Sequence, residues 1–369
     1  MNSQKYRTWA SAALLAAYAC LVIGCSSQTP QSPVESRREP MTDPEQLLKK
    51  ETLEPDFKAT AAEPLHIVRR LQSRAKEGGA FAFPASLAVA EDGVVYVADN
   101  NAQAIHYCAP DADVVNTLQT QGEGGKLNWP TTIRVAQDAL FVTDNDGLKV
   151  YQRDGALRRV LKTYYGVNHF AVRPDGNFYV NPAFSEEKTA NPLVVELNKD
   201  GTRVREFGER LNRAEHIGLE DRVYLADSKK YLAVVYKHLP RVRLYRPDGQ
   251  LAREFEVEHP LFEELDDLGR SQFFVRPGPS AYRLPKYIAG ASVVGDRVLV
   301  LLDLPRPEVI EYDFEGRELS RYRGEPLPVP TLYLGFDAKL VGDTYHFWTI
   351  ASDAENFMSL MEFTAAKRR

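Results

Sequence analysis

The sequence predicts an all-β protein: a six-bladed β-propeller of four-stranded antiparallel blades, its ring closed by an N-terminal strand. A short apolar strand core occurs six times, with its second residue at Tyr96, Phe141, Tyr179, Tyr224, Leu299 and His346. The steps between these residues are 45, 38, 45, 75 and 47, and all but one match the length of a propeller blade. Tight Asp-Gly or Gly-Asp turns flank most of the cores, as hairpins between alternating strands require.

Each core belongs to a unit of four strands. An apolar strand and a tight turn precede most cores, as in LAVAEDG, FAVRPDG and SVVGDR. Two more strands follow around a second turn, as in KVYQRDGALRRV, VVELNKDGTRVREF and VRLYRPDGQLAREF. A large β-sandwich is the alternative, but a sandwich has no reason to repeat its hairpins in order. A ring closes best when both chain ends share a blade, so we expect HIVRRL (66–71) to pair with MSLMEFT (358–364).

The repeat resembles the NHL-repeat family of six-bladed propellers. The first unit matches the family pattern at Phe83, Pro84, Leu87, Ala88, Val89, Asp92, Gly93, Tyr96, Val97, Ala98, Asp99 and Asn100. The second unit repeats the aromatic-Pro pair as Trp129 and Pro130, whereas the fifth and sixth units lack the terminal Ala-Asp. The resemblance covers roughly residues 65–363 and implies a propeller domain over 65–369 with an insertion at about 258–287.

The N-terminus predicts an envelope lipoprotein. A short basic segment precedes an apolar run that is too short for a comfortable membrane span, as in a secretory signal. The run ends LVIGC, which resembles a lipobox and predicts a signal peptide at 1–24 and lipidation of Cys25. Ser26 and Ser27 follow the cysteine and favour the outer membrane. An ordinary cleaved signal peptide is the alternative. Residues 25–64 are rich in Ser, Pro, Gln and Glu, which predicts a flexible tether.

Charge and cysteine content narrow the function. Without residues 1–24, 44 basic side chains stand against 51 acidic ones, a formal charge of −7, which argues against nucleic acid as a partner. Only Cys108 remains after signal cleavage and lipidation, so we expect no intrachain disulfide. The sequence predicts neither the oligomeric state nor the ligand's identity.

Three of the strand cores end on aspartate, at Asp99, Asp144 and Asp227. A short carboxylate at a strand end accepts backbone N–H bonds and fixes the next loop, which is the interpretation we favour over a ring of metal ligands. The long segments 181–192, 227–240 and 258–287 all fall on one face of the predicted propeller. Long loops on a rigid scaffold are where ligand sites concentrate.

The residue just before the first strand of each blade is expected at the mouth of the central channel. The sequence places there Ser86, Thr132, His169 and His216, then Gly290 or Ala291, and Asp337 or Ala338. In NHL-like enzymes such as peptidylglycine amidating lyase and streptogramin lyase, imidazoles at such positions bind metal or act as bases. The resemblance therefore implies that His169 and His216 are candidate catalytic residues and, with Asp337, candidate ligands of a zinc or calcium ion. Polar side chains around a water-filled channel are the alternative interpretation.

The insertion interleaves basic and aromatic residues, including Arg276, Tyr282 and Arg283. Together with Lys230, Tyr231 and Lys237 from the fourth unit, it predicts a cationic, aromatic rim that suits an anionic sugar, a peptide or a partner surface. Packing of the aromatic residues onto the propeller is the alternative. The function that we infer is a non-catalytic, lipid-anchored envelope propeller that binds a partner protein or ligand. A lyase or lactone hydrolase that uses His169 and His216 is the alternative function, and a structural subunit of an envelope complex is a third.

Overall fold

The computed structural model of the 369-residue chain describes residues 61–72, 81–162, 166–182, 192–211, 222–265, 286–304, 306–327, 331–353 and 358–368. The chain divides into two units, Met1–Leu47 and Leu48–Arg369, and every described residue belongs to the second. Residues 261–265 are helical, and the other regular structure in these ranges is β-strand. None of the helices in these ranges is long and apolar enough to cross a membrane.

Most of the domain consists of four-stranded antiparallel sheets. β1 (Glu63–Gln72) comes first, and four separate sheets of consecutive strands follow it. Sheet by sheet, these strands are β2 (Pro84–Val89), β3 (Val95–Asp99), β4 (Ala104–Cys108) and β5 (Asn116–Leu118); β6 (Thr132–Ala136), β7 (Ala139–Asp144), β8 (Gly147–Gln152) and β9 (Leu157–Leu161); β10 (Val167–Val172), β11 (Phe178–Pro182), β12 (Val194–Leu197) and β13 (Arg203–Phe207); β14 (Val223–Asp227), β15 (Leu232–Tyr236), β16 (Arg241–Tyr245) and β17 (Leu251–Glu256).

The last seven strands and β1 form a single eight-stranded sheet, in the order β18-β19-β20-β21-β1-β24-β23-β22. The seven are β18 (Ile288–Val294), β19 (Arg297–Leu302), β20 (Glu308–Asp313), β21 (Glu318–Gly324), β22 (Thr331–Val341), β23 (Thr344–Asp353) and β24 (Met358–Ala366). β1 pairs antiparallel with β24 from His66 opposite Thr364 to Gln72 opposite Ser359, as predicted.

The prediction of six separate four-stranded sheets is wrong for the described strands, which form four such sheets and one eight-stranded sheet. The cause lies in β1. Its first residues, Glu63, Pro64 and Leu65, pair in parallel with β21 before the strand continues along β24. No sequence pattern indicated this second pairing, which joins two groups of strands along one edge.

The strands are arranged as a propeller. The inner strands β2, β6, β10, β14, β18 and β22 contact one another in that order, and β22 contacts β2 again. We call the end of the central channel at which the inner strands begin the mouth face, and the opposite end the turn face. The Asp-Gly turns lie on the turn face, where Gly93 has a φ of +86°, a conformation that favours glycine.

The hydrophobic core lies between neighbouring groups of strands. In the described part of the chain it consists of six clusters, each of which combines residues from two consecutive groups. Phe141 of β7 and Phe178 of β11, for example, meet edge to face with their ring centroids 5.6 Å apart. Burial of each such ring contributes about 2–3 kcal/mol, so the contacts between sheets stabilise the ring and position the inner strands.

The motif VYLAD does not occupy the place that its sequence predicts. VYVAD and LFVTD form β3 and β7, the second strands of their sheets, as expected. VYLAD instead forms β14, the inner strand of the fourth sheet, which contacts the inner strands β10 and β18. The second strand of that sheet is β15, so the predicted long loop at 227–240 contains a strand. The two motifs look alike because both positions are buried and apolar.

Candidate functional site

His169 projects from the inner strand β10 and links it to the two neighbouring inner strands. Its Nδ1 accepts a hydrogen bond of 2.9 Å from the backbone N–H of Leu225 in β14. Its Nε2 lies 2.6 Å from Nη2 of Arg134 in β6. The ring is buried and meets Tyr224 edge to face at 5.5 Å. The side chain therefore lies between the inner strands of neighbouring sheets, and its predicted role at the channel mouth remains a prediction.

Arg134 crosses the channel wall from β6. Its Nη1 donates to the carbonyl of Ile133 at 2.8 Å and, at 3.4 Å, to that of Leu87 in β2. Burial lowers the pKa of the Arg134 guanidinium, and the charge of Asp337 partly offsets this. Among the described residues, no carboxylate lies within ion-pair distance of Arg134. A buried cation without a carboxylate partner is unfavourable in a folded protein.

The contact between Arg134 and His169 brings two hydrogen-bond donors together. A neutral imidazole has one N–H and one lone pair, and the backbone N–H of Leu225 already uses the lone pair of Nδ1. Nε2 then carries the ring proton and faces the N–H groups of Arg134. The ring also stays unprotonated, because burial, Arg134 and Lys237 hold the pKa of His169 well below its ordinary value. Two donors therefore converge on one point without an acceptor between them.

Lys237 adds a second cation at the mouth face. It directly follows β15, and its ammonium group lies 4.4 Å above the ring of Tyr224. Burial, assisted by Lys286, Arg222 and Arg134, lowers the pKa of Lys237 to about 7. In the ranges that the structure describes, no carboxylate forms an ion pair with it.

Two tyrosines and an aspartate bring acceptors and hydroxyl groups to the same place. Asp303 follows β19, and its carboxylate lies 3.7 Å from the Lys286 ammonium. Burial raises the pKa of Tyr224 and of Tyr333, and the charge of Asp303 adds to both shifts, so both phenols stay neutral. The Tyr333 hydroxyl is buried and has no hydrogen-bond partner among the described residues. The mouth thus combines cations with one carboxylate and neutral phenols.

Asp337 lies deeper than the sequence predicts. Its Oδ2 accepts a bond of 2.9 Å from the N–H of Val89, the last residue of β2, and not from the start of that strand. Its Oδ1 accepts a bond of 2.7 Å from the Ser292 hydroxyl. The expected place at the mouth is wrong because β22 has 11 residues and begins at Thr331, well before the position that the motif alignment selects.

Ser86 and Thr132 lie within inner strands, not just before them as predicted, and both are buried. The Ser86 hydroxyl accepts a bond of 3.3 Å from the N–H of Ile133 in the next sheet. The carbonyl of Thr132 accepts a bond of 3.5 Å from the Thr143 hydroxyl. Both residues therefore join strands, and a role in ligand binding remains a prediction for them.

Lys230 and Tyr231 lie on the turn face, opposite the mouth where the predicted rim would place them. They belong to the turn between β14 and β15, in which Ser228 Oγ accepts the N–H of Tyr231 at 2.9 Å. The Lys230 ammonium lies 5.1 Å above the Tyr231 ring, and Tyr231 packs edge to face on Phe314. The correction follows from β14, whose position as inner strand turns its end away from the mouth.

Several predicted residues lie outside the described ranges: Cys25, His216, Arg276, Tyr282 and Arg283. In the described ranges, no group of three His, Cys, Asp or Glu side chains is placed to hold a metal ion. His169 and Asp337 do not fit a shared metal, because Asp337 is bound to Ser292 and Val89 and His169 faces a guanidinium. A metal site that includes His216 stays a prediction.

The aspartates at the strand ends act as loop caps in two of three cases. Asp99 accepts the N–H groups of Ala82, Phe83 and Ala102 at 2.6–2.9 Å. Asp144 accepts the N–H groups of Asn128 and Asp146 and the ammonium of Lys149 at 2.7–3.0 Å. Asp227 ends an inner strand instead, and burial raises its pKa to about 7 despite the opposing charge of Arg173.

Arg134 is the site residue that the sequence did not reveal. In TIRVA it occupies the alternate position of an apolar strand, where a charged residue usually faces solvent. The available signal was its place in a first strand, since both sides of a channel-lining strand are enclosed.

No family model matches this chain, and no curated protein matches it. Solved structures share its fold. A luciferin-regenerating enzyme is 11% identical with a TM-score of 0.51, over 83% of this chain and 96% of that one. Virginiamycin B lyase from Staphylococcus aureus is 11% identical with a TM-score of 0.48, over 82% and 99%. A gluconolactonase from Xanthomonas campestris is 15% identical with a TM-score of 0.49, over 84% and 98%. At these identities the likeness concerns the propeller fold alone.

Proposed function

We propose that this protein is a lipid-anchored propeller of the bacterial cell envelope that binds an anionic ligand at the mouth face of its channel without converting it. The observation that carries the proposal is the pair Arg134–His169, in which two donors converge 2.6 Å apart on a point with no acceptor. An anionic oxygen that approaches the two nitrogens from the side accepts from both groups. Charge-assisted bonds of this kind are stronger than neutral ones.

The unpaired cations support the same conclusion. Bringing an anion to Arg134 and Lys237 offsets part of the unfavourable free energy of burying two positive charges. The protein as a whole is acidic, with a formal charge of −5, so the cationic mouth is a local feature and not the result of overall charge. Oxyanions such as carboxylates match the donors, while a metal cation does not.

The experiment is a titration with acetate, the smallest carboxylate, followed through the amide chemical shifts of the purified protein. We expect saturable binding that Arg134→Gln weakens at least tenfold. The control is Arg253→Gln, which removes an exposed arginine that pairs with Glu315 outside the channel. Equal acetate affinity in the Arg134 variant and in the control variant contradicts the proposal.

The anchor and the blade count belong to the same proposal. Cys25 is the lipidated residue, so Cys25→Ser is expected to release the protein from membranes or leave the precursor unprocessed. Retention on membranes after normal cleavage contradicts the anchor.

The proposal also includes the number of blades. The eight-stranded sheet counts as two blades joined along β1, which with the four separate sheets gives six blades.

A lyase or lactone hydrolase is the second candidate function. The observation in its favour is the neutral imidazole of His169 beside a guanidinium, since the ring can accept a proton during a reaction once its Nδ1 is released from the N–H of Leu225. Its test is metal analysis together with a search for turnover of lactone substrates. Stoichiometric zinc or calcium, with turnover lost in both His169→Ala and His216→Ala, supports the enzyme over the binding protein.

A further inference from the structure

Two aromatic side chains stand at the mouth face of the first two sheets. Phe83 and Trp129 each precede a proline at the entrance to an inner strand, and each is 43% exposed. Most other aromatic rings of the described residues are buried in the clusters between sheets. Exposed aromatic rings beside a polar site are typical of surfaces that bind a ligand.

Hydrogen bonds anchor the backbone segments that carry the two rings. The Phe83 N–H donates to Asp99 Oδ1 at 2.9 Å, and the Asn128 N–H donates to Asp144 Oδ2 at 3.0 Å. The Asn100 amide donates to the carbonyl of Pro130 at 3.2 Å and so links the two segments. These bonds occupy the N–H groups of Phe83 and Asn128, which therefore cannot pair with an added peptide strand.

Trp129 holds an unfavourable backbone conformation. Its φ is +57°, in the left-handed region that disfavours residues with a Cβ. A glycine would adopt this conformation without strain, but it would not place a ring at the mouth. Strain of this kind in a non-glycine residue is concentrated at ligand sites.

Trp129 and Arg134 are close in the chain, so one extended ligand can reach both. Trp129 precedes Arg134 by five residues, which span at most about 17 Å of extended chain. Asp303, Tyr224 and Tyr333 lie among the cations and can bond to hydroxyl groups. An acidic peptide would bring further carboxylates against Asp303, whereas a sugar hydroxyl donates to it.

We propose that Phe83 and Trp129 form a stacking subsite for the rings of an acidic saccharide whose carboxylate binds at Arg134 and Lys237. This inference rests on the proposed function and names its ligand class. The aromatic faces contact the apolar face of a sugar ring, and the cations neutralise its acid group. Free and chain-terminal acidic sugars share this chemistry.

The test compares three probes: digalacturonate, its neutral dimethyl ester, and acetate. The parent protein is expected to bind digalacturonate more tightly than either of the others, with a change in tryptophan fluorescence. Trp129→Ala and Phe83→Ala are each expected to weaken digalacturonate binding at least fivefold and to leave acetate binding unchanged. Leu251→Ala, at an exposed apolar position on β17, is the control.

Trp129→Gly separates binding from folding. It is expected to weaken digalacturonate binding as much as the alanine variant while it raises the midpoint of thermal unfolding, because the strain is removed. Unchanged digalacturonate affinity in both Trp129 variants overturns the inference, even where acetate binding still depends on Arg134. Tighter, Trp129-dependent binding of a triglutamate peptide overturns it as well. Absence of acetate binding to the parent overturns the proposed function itself.

Discussion

Asp337 and His169 occupy comparable places, because each projects from an inner strand and bonds to the inner strand of the next sheet. Asp337 accepts from Val89, Ser292 and its own neighbour Ala338 at 2.7–2.9 Å, so acceptors and donors match. His169 accepts from Leu225 but sets its second nitrogen against another donor. The difference indicates that Asp337 joins strands, and it supports the proposal that the Arg134–His169 pair binds a group from outside.

Removal of Asp337 has the largest expected effect. Asp337→Ala leaves the Val89 N–H and the Ser292 hydroxyl without their acceptor, and we expect a loss of about 3 kcal/mol in the free energy of unfolding. Ser292→Ala removes one partner only and is expected to lose about 1 kcal/mol. Urea denaturation measures both. A change below about 0.5 kcal/mol for Asp337→Ala would contradict the conclusion that Asp337 joins strands.

Removal of the Arg134 charge is expected to change anion binding strongly and stability little, the reverse of what we expect for Asp337. Arg134→Met is expected to weaken anion binding at least tenfold, or about 1.4 kcal/mol, while the stability changes by less than about 1 kcal/mol. The reason is that the variant removes both an unpaired buried charge and the conflict with His169. Calorimetry and denaturation on the same preparation measure the two quantities. A stability loss as large as that of Asp337→Ala would make Arg134 a structural residue too.

The pH dependence of anion affinity tests whether Lys237 belongs to the site. Its pKa of about 7 means that the positive charge is lost as pH rises through neutrality, so anion affinity is expected to fall several-fold between pH 6 and 8. A bound anion raises the pKa of Lys237 and shifts the fall in anion affinity to higher pH. In the unfolded chain the lysine keeps its proton to about pH 10, so stability rises from pH 7 to 10. A profile that Lys237→Met leaves unchanged excludes this lysine from the site.

The smallest expected effect is at Trp129. Trp129→Gly is expected to stabilise the protein by about 1 kcal/mol, because glycine accepts the left-handed conformation that tryptophan holds under strain. Trp129→Ala keeps the strain and gives the matched reference. If both variants lose stability equally, the ring is part of the scaffold, as Asp337 is.

The repeating strands and turns made the propeller predictable, because each hairpin has its own local signal. VYVAD and VYLAD show the limit of that signal. An apolar strand of this composition fits either of the two innermost positions of a sheet, so only tertiary contacts place β14 inside and Asp227 on the turn face.

The site was predictable in part for a related reason. His169 was identified because it precedes a recognisable hairpin, and Lys237 because it belongs to a basic segment. Arg134 was not, since one arginine in an alternating strand has the pattern of a solvent-facing residue. The double pairing of β1 was also beyond the sequence, because a parallel pairing of three residues has no turn to signal it.

The ring nitrogens of His169 offer the most direct test of an anion site at the mouth face. ¹⁵N NMR, with His169→Gln used to assign the signals, reports the tautomer and the charge of the ring. The account predicts a neutral ring at pH 6 with its proton on Nε2, and an Nε2 resonance that shifts saturably with acetate in the parent but not in Arg134→Gln. A ring that is protonated at pH 6, or an Nε2 resonance that acetate leaves unmoved, would contradict it.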